Sequence, residues 1–233
     1  MNLTSSSYHA LPRQESGAHP GLPVDAADRL RAACVEAALE ILDDPHGPDV
    51  DIREVARRIG KSRTAPYLCF GKEREGGGRA GLLAAAAARG FDMLAVRLEQ
   101  QVEAVSSSVL HQAASSWVAF ARDHPRLYRL MFGSEVAGRM HLEGLTAARW
   151  RVQTILQGDI KAAQATGAIG PGRSLEQAMM VWAMLHGVAT LTLDGQLDLV
   201  DGRDRASGFA DRAIALTLTA LRPQADGEAP PPS

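Results

Sequence analysis

Cysteine is nearly absent from this chain: Cys34 and Cys69 are the only two in 233 residues. So small a number excludes a disulfide scaffold and a cysteine-rich zinc site, and it suits a reducing cytosol. Long apolar runs are missing too. No stretch approaches the ~20 residues needed to cross a bilayer. The N-terminus lacks a basic, apolar and cleavable succession, so no secretory signal is expected and a cytoplasmic location is. Charge of one sign is also lacking, because the formal net charge is only -2. Whole-chain charge therefore does not mark a nucleic-acid binder, and such a reading must rest on local charge. What remains is ordinary. Hydrophobic residues make up 45% and charged residues 22%, which excludes wholesale disorder. The length fits one large domain or two small ones, at roughly 100–200 residues each.

Strand-type alternation of Val, Ile and Thr is absent, and apolar residues recur at helical spacing nearly throughout. An all-α fold is expected. Residues 1–24 and 223–233 are rich in small, polar and proline residues without periodicity and read as disordered ends. A first helix is predicted over Ala26–Asp43, with Asp25 as its cap and Leu30, Cys34, Ala37 and Ile41 as its buried stripe. Short helices follow at Ile52–Ile59 and Arg63–Phe70, joined by Gly60-Lys61-Ser62, and then a glycine-rich charged loop at 71–81. Further helices are predicted over Leu82–Val105, Val109–Arg122, Arg126–Phe132, Glu143–Thr166, Ser174–Leu193 and Asp204–Leu221. Trp150 and Ile155 are the expected apolar anchors of the Glu143–Thr166 helix, and the last two helices have broad apolar faces.

Residues 52–70 have the strongest local signal. Two short helices meeting at a tight turn with glycine form a helix-turn-helix arrangement. Gly60 suits the left-handed end of the first helix, Ser62 caps the second, and Pro66 lies in its first turn, where a missing N–H costs least. The second helix of such a motif enters the major groove by its N-terminal residues, here Arg63, Thr64, Ala65 and Tyr67. Arg63 suits a guanine edge or a phosphate, Thr64 a base edge or thymine methyl, and Tyr67 a phosphate oxygen. Arg53 and Ser62 flank them as further candidate contacts. From Arg53 to Arg79 eight Arg/Lys stand against three Glu, a local charge of +5, so the rest of the chain carries -7. A basic head on an acidic body fits a DNA-binding module attached to something else. The plain competing interpretation is a helical hairpin with a solvated basic face.

Residues 25–94 resemble the DNA-binding domain of the TetR family of bacterial regulators. The resemblance rests on the Ala-Cys-Val-Glu-Ala-Ala-Leu-Glu-Ile-Leu first helix, on residues 52–70, and on Gly81-Leu-Leu-Ala-Ala-Ala-Ala. His124-Pro-Arg-Leu-Tyr-Arg-Leu-Met-Phe-Gly133 and Trp182-Ala-Met-Leu-His186-Gly187 resemble the WHG-type C-terminal domain of that family. The resemblance implies a helix-turn-helix domain at 25–94 and an effector-binding and dimerisation domain at 95–222. It implies a homodimer through the last two helices, a small effector, and a palindromic DNA operator. Two features depart from the family pattern: Lys61 replaces an apolar residue after the turn glycine, and Gly71–Gly81 is an insertion. The family's phosphate-binding lysine then falls on Lys72 or, by alignment on Leu82, on Arg79.

Other motifs are weaker. Gly76-Gly-Gly-Arg-Ala-Gly81 matches G-x-G-x-x-G, but a dinucleotide site needs a preceding strand, and a helix precedes here. No His-x-x-x-His or Cys/His cluster points to a metal, and no cofactor is expected. Trp182 and His186 share a helix face. Trp117, Phe120, Tyr128, Met131, Trp150, Trp182 and His186 either form core or line one mostly apolar cavity for an uncharged, hydrophobic effector, with His186 as its polar handle. No Ser-His-Asp or paired-carboxylate grouping can be argued. The expected function is a ligand-responsive transcriptional repressor rather than an enzyme. The alternative is a small helical enzyme that uses the Trp182/His186 face and has no DNA affinity.

Overall fold

A computed structural model describes residues 24–71, 77–100, 108–139, 142–197 and 203–223. The expected disordered ends lie outside the described residues, apart from Val24 and Pro223. The described residues form ten helices and no strand. In chain order these are α1 Val24–Asp43, α2 Ile52–Arg58, α3 Tyr67–Phe70, α4 Gly78–Glu99, α5 Ser108–Asp123, α6 Pro125–Phe132, α7 Ser134–Ala137, α8 Glu143–Ala165, α9 Ser174–Leu193 and α10 Arg203–Ala220. No described helix is long and apolar enough to cross a membrane.

The apolar stripe of α1 packs as its spacing predicts. Cys34, Ala37, Ala38 and Ile41 are buried, and Leu30 is half-buried. α4 runs through the middle of the molecule, packing along α8 and touching α1 and α6. Alanine and glycine on α4 allow this closeness: Ala84, Ala86, Ala87, Gly90 and Ala95 are all buried. At Gly90 a Cβ would stand 2.7 Å from Met131 Sδ and 3.0 Å from Leu127 Cδ1, so α6 lies directly on the α4 backbone. One apolar cluster continues from α1 through α4 to α9 and α10.

Three expectations need correction. Trp150 is no anchor of α8; it is 60% exposed. The buried face of that helix is Leu145, Ala148, Val152, Leu156 and Ile160, which stack at helical spacing. The helix predicted over Arg63–Phe70 is regular only from Tyr67, because Pro66 has no N–H for an i→i−4 bond. Its first turn closes instead by i→i+3 bonds, Ala65 N–H to Ser62 O at 3.0 Å and Tyr67 N–H to Thr64 O at 3.1 Å. α4 begins at Gly78, four residues before Leu82.

Asp159, half-buried on α8, has its carboxyl pushed from an ordinary 3.8 to about 6 by burial. The folded state therefore holds the proton more tightly than the unfolded chain. Stability from this group is greatest below pH ~4, falls as pH rises through 6, and stays lower above. Asp159→Asn is expected to flatten the pH 4–6 limb of the thermal stability curve. It should also raise stability at pH 7.5 by about 1 kcal/mol, once solvent screening is allowed for. Melting curves from pH 4 to 8 check both effects.

Candidate functional site

α2 ends in a Schellman turn. Gly60 sits at φ 65°, its N–H bonds Arg57 O at 3.2 Å, and the Lys61 N–H bonds Ala56 O at 2.9 Å. No atom lies within 4 Å of a Cβ placed at Gly60, so the backbone angle, and not crowding, demands glycine. The chain leaves this turn with Lys61, Ser62, Arg63 and Thr64 all exposed, and with Ser62 Oγ and Thr64 Oγ1 3.2 Å apart. Ala65, expected to face DNA, is buried instead, because the i→i+3 turn rolls its Cβ inward. Tyr67 is half-buried against the core.

Beside the turn is an open depression of about 460 Å³, lined by Asp51, Arg53, Glu54, Arg57, Lys61 and Arg63. Charges within it are already partly matched. Glu54 accepts from Arg57 Nε at 2.9 Å, Arg57 Nη2 at 2.6 Å and Arg58 Nε at 3.2 Å. These bonds hold its carboxyl down at about 2. Arg53, Lys61 and Arg63 make no ion pair among the described residues. α2 and the turn that follows it thus bring three uncommitted cations to one edge, beside two hydroxyls. That arrangement is suited to a phosphate backbone.

Of the two candidates for the phosphate-binding cation after α3, Lys72 lies outside the described residues. Arg79 is already engaged: its Nε donates to Val50 O and its Nη1 to Glu135 Oε1, both at 2.7 Å. It ties α4 to the loop before α2 and to α7, and is not presented outward for phosphate. The start of the insertion is tied to the start of α4 by Gly78 N–H bonding Gly71 O at 3.0 Å, and both glycines have positive φ.

The candidate effector residues separate into two groups. Trp117, Tyr128, Trp182 and His186 come together, with Phe91 and Phe132, which sequence reasoning did not select. Ring centroids stand 4.9 Å apart for Trp117–Trp182, 4.8 Å for Tyr128–Phe132 and 4.4 Å for Phe132–His186. Through the cluster runs a polar relay. Trp117 Nε1–H donates to Tyr128 Oη at 2.9 Å, which leaves the phenol proton for His186 Nδ1 at 3.1 Å. Burial pushes the Tyr128 phenol up. Burial, then the charge of Arg149, holds His186 below its ordinary value. Both groups are therefore neutral at pH 7, and His186 keeps its proton on Nε2. Met131 packs on Gly90 at the edge of this cluster, Phe120 lies against His124 at 5.1 Å, and Trp150 stands apart on the surface. The rings fill the space expected to be a cavity. A depression of about 430 Å³ opens elsewhere, at Leu110, His111, Ile169, Leu218 and Arg222. Among the described residues, no group of three or more His, Cys, Asp or Glu could hold a metal ion.

Residues 110–217 match the family model described as the tetracyclin repressor-like C-terminal domain. That match gives the chain a C-terminal domain of the TetR-repressor type. No curated protein matches it in sequence. Solved structures share its architecture. A protein of unknown function from Rhodococcus sp. RHA1 is 28% identical with a TM-score of 0.67, the match covering 83% of this chain and 95% of that one. A TetR family transcription regulator from Marinobacter aquaeolei VT8 is 15% identical with a TM-score of 0.60, covering 86% and 99%. RolR in complex with resorcinol is 16% identical with a TM-score of 0.59, covering 91% and 99%.

Within this TetR-type domain the His124–Gly133 segment does more than its aromatic content suggests. Arg126 Nη1 donates to Ile41 O and Asp44 O, and Nη2 to Pro48 O, each at 2.7 Å. Arg129 Nη2 donates to Leu193 O at 2.7 Å and to Asp194 Oδ1 at 2.9 Å. His124 Nδ1 lies 3.1 Å from Asp43 Oδ1. One short helix therefore grips the C-terminal ends of both α1 and α9. Sequence reasoning missed both arginines. The only available signal was their three-residue spacing on a helix with a strong apolar face.

Tyr128→Phe deletes the middle of the relay. The buried Trp117 Nε1–H and the His186 Nδ1 would both lose their partner, at a cost of about 1–3 kcal/mol. A lowered denaturant midpoint with unchanged slope is the expected result; an unchanged midpoint would show that the relay adds no stability.

Proposed function

We propose that this regulator is a ligand-responsive repressor that binds a palindromic operator as a homodimer. Residues 25–94 form its DNA-binding domain and 95–222 its effector-binding and dimerisation domain. The observation that carries the reading is the exposed Lys61–Thr64 edge behind a Schellman turn, with Arg53 beside it. Arg63 and Thr64 are placed as base readers, and Arg53, Lys61, Ser62 and Tyr67 as backbone contacts.

Support for a second copy comes from α9 and α10. Leu175, Met179, Met180 and Leu191 on α9 are 40–61% exposed, and Leu216 on α10 is 71% exposed. Exposure of so many large apolar side chains on two helices is typical of an interface. Of the small residues expected to let helices of two copies meet, Ala183 and Ala220 are exposed. Ala178 is fully buried within its own chain and serves packing there.

The effector is placed at the relay end of the aromatic cluster. Its neighbouring polar groups are donors. His186 keeps an Nε2–H, Arg149 lies over Trp182 at 5.5 Å, and one turn along α8 the buried Gln153 Nε2 has no hydrogen-bond partner. A small, uncharged, largely aromatic molecule with an acceptor oxygen suits these groups, and resorcinol on RolR is of that chemistry. Because the rings pack on one another, the molecule binds a state in which they part, and that state is the one with lower DNA affinity.

Arg63→Ala is expected to weaken operator binding by about 1–3 kcal/mol and relax specificity at one base position. Tyr67→Phe should weaken all sequences alike, and log affinity should fall steeply with log salt. Selection from a random DNA pool, followed by anisotropy titrations, checks these outcomes; binding independent of salt would overturn the DNA assignment. An asymmetric single half-site, or a monomer by sedimentation at micromolar concentration, would overturn the dimer.

His186→Ala separates handle from core. As a handle, its loss lowers effector affinity and leaves DNA affinity nearly intact. As a core residue only, its loss lowers thermal stability and leaves the ratio of the two affinities unchanged.

A further inference from the structure

The depression of about 430 Å³ where α5 meets α10 shares no residue with the DNA edge or with the aromatic relay. Its walls come from three places: the first turns of α5, the chain just after α8, and the last turns of α10. Leu110 and Ile169, both buried, make the apolar floor, with Ala168 and Leu218 half-buried beside them. The polar rim is His111, Gln112, Thr219 and Arg222. Among the described residues, no carboxylate lines it. Arg222 is exposed, and its guanidinium makes no hydrogen bond or ion pair among the described residues. The His111 ring makes none either.

The wall after α8 is fixed by hydrogen bonds. Gly170 N–H donates to Leu221 O at 2.7 Å, which hangs this segment on the last turn of α10. Gly170 O accepts in turn from Gln164 Nε2 at 3.5 Å and Gln177 Nε2 at 3.2 Å. A Cβ at Gly170 would stand 3.3 Å from Pro223 Cα, so the chain around Arg222 passes close by. Ala215, Leu218 and Thr219 form one stripe of α10, and Arg222 continues it past the helix end. Leu216 and Ala220, assigned above to a second copy, lie to one side of that stripe. The depression is therefore not the face assigned to the dimer.

We propose that this depression is a ligand site separate from the aromatic cluster, and that it takes an alkyl monocarboxylate. The chain lies on Leu110, Ile169 and Leu218. The carboxylate is held by Arg222, with His111 and Gln112 as further donors. The size suits a small ligand, since such pockets run from about 300 to 1,000 Å³. A floor of aliphatic side chains offers little to stack on, which favours an alkyl chain over a flat ring system. A neutral amphiphile would leave Arg222 without a partner, and a small polyanion would leave the floor wet. Nothing in this inference depends on DNA binding, so either can fail without the other.

The test titrates the full chain by calorimetry with octanoate, and with octanol as the uncharged control of equal chain length. One octanoate per chain is expected, bound about tenfold more tightly than octanol, a modest value for a hydrogen-bonded charge. Arg222→Gln should remove most of that preference. Thr219→Glu, which sets a negative charge beside the head group, should weaken octanoate and spare octanol. Ala215→Trp fills the depression and should abolish binding of both. Arg222 and Thr219 are exposed, so their variants decide the matter even where Ala215→Trp does not fold. No saturable octanoate binding, equal affinity for octanol, or an unchanged preference in Arg222→Gln would each overturn the proposal. Octanoate lost on His186→Ala and kept on Arg222→Gln would place it in the aromatic cluster and overturn the proposal as well.

Discussion

The Arg126 guanidinium holds the segment between α1 and α2 in register with the rest of the molecule. A helix end leaves carbonyls without partners and a partial negative charge. At the end of α1 one cation serves two such oxygens, from Ile41 and Asp44, and with them the loop carbonyl of Pro48. Water would satisfy them equally well in isolation, but it would not tie them to α6. Because the cation belongs to α6, the loop between α1 and α2 is bound to the C-terminal part of the fold. The space around it is tight: a Cβ at Gly47 would stand 2.9 Å from Arg126 Nη1. Arg79 strengthens the same junction from α4, through Val50 O and Glu135.

This junction explains which parts of the molecule were legible in the sequence. Features set by neighbours in the chain were readable. The spacing of Cys34, Ala37 and Ile41 marked the buried face of α1, Gly60 marked the turn, and α9 begins and ends where its apolar period does. Features set by distant partners were not. Arg79 meets Glu135 across 56 residues, and Arg126 meets Ile41 across 85. No window of sequence contains both members of such a pair. α7, four residues long, is too short to show a period.

Trp150 and Ala65 failed for a different reason, since their surroundings were local and were overruled by size and by proline. A large aromatic on an apolar-rich helix draws attention, yet the smaller Leu145, Ala148, Val152 and Leu156 set the inward face of α8. Ala65 lies where a regular helix would turn it outward, but Pro66 tightens the preceding turn. The candidate site was accordingly legible as a place and only partly as a set of residues. Of the eight DNA candidates, Arg53, Ser62, Arg63 and Thr64 are exposed as expected, and Tyr67 is half-buried. Of the seven effector candidates, four share one cluster, and Phe91 and Phe132 had to be added from the packing.

The near-zero net charge conceals a strongly polar molecule. The +5 of residues 53–79 is set against -7 elsewhere, and the three uncommitted cations of the head share one edge. A polyanion approached from any side attracts that edge and repels the remainder, so the molecule turns before it touches. Much of the rotational search that limits specific association is completed at a distance comparable to the Debye length. On the proposed DNA-binding reading, a uniformly basic chain of equal affinity would adhere in many poses and escape from each slowly, whereas this edge favours one.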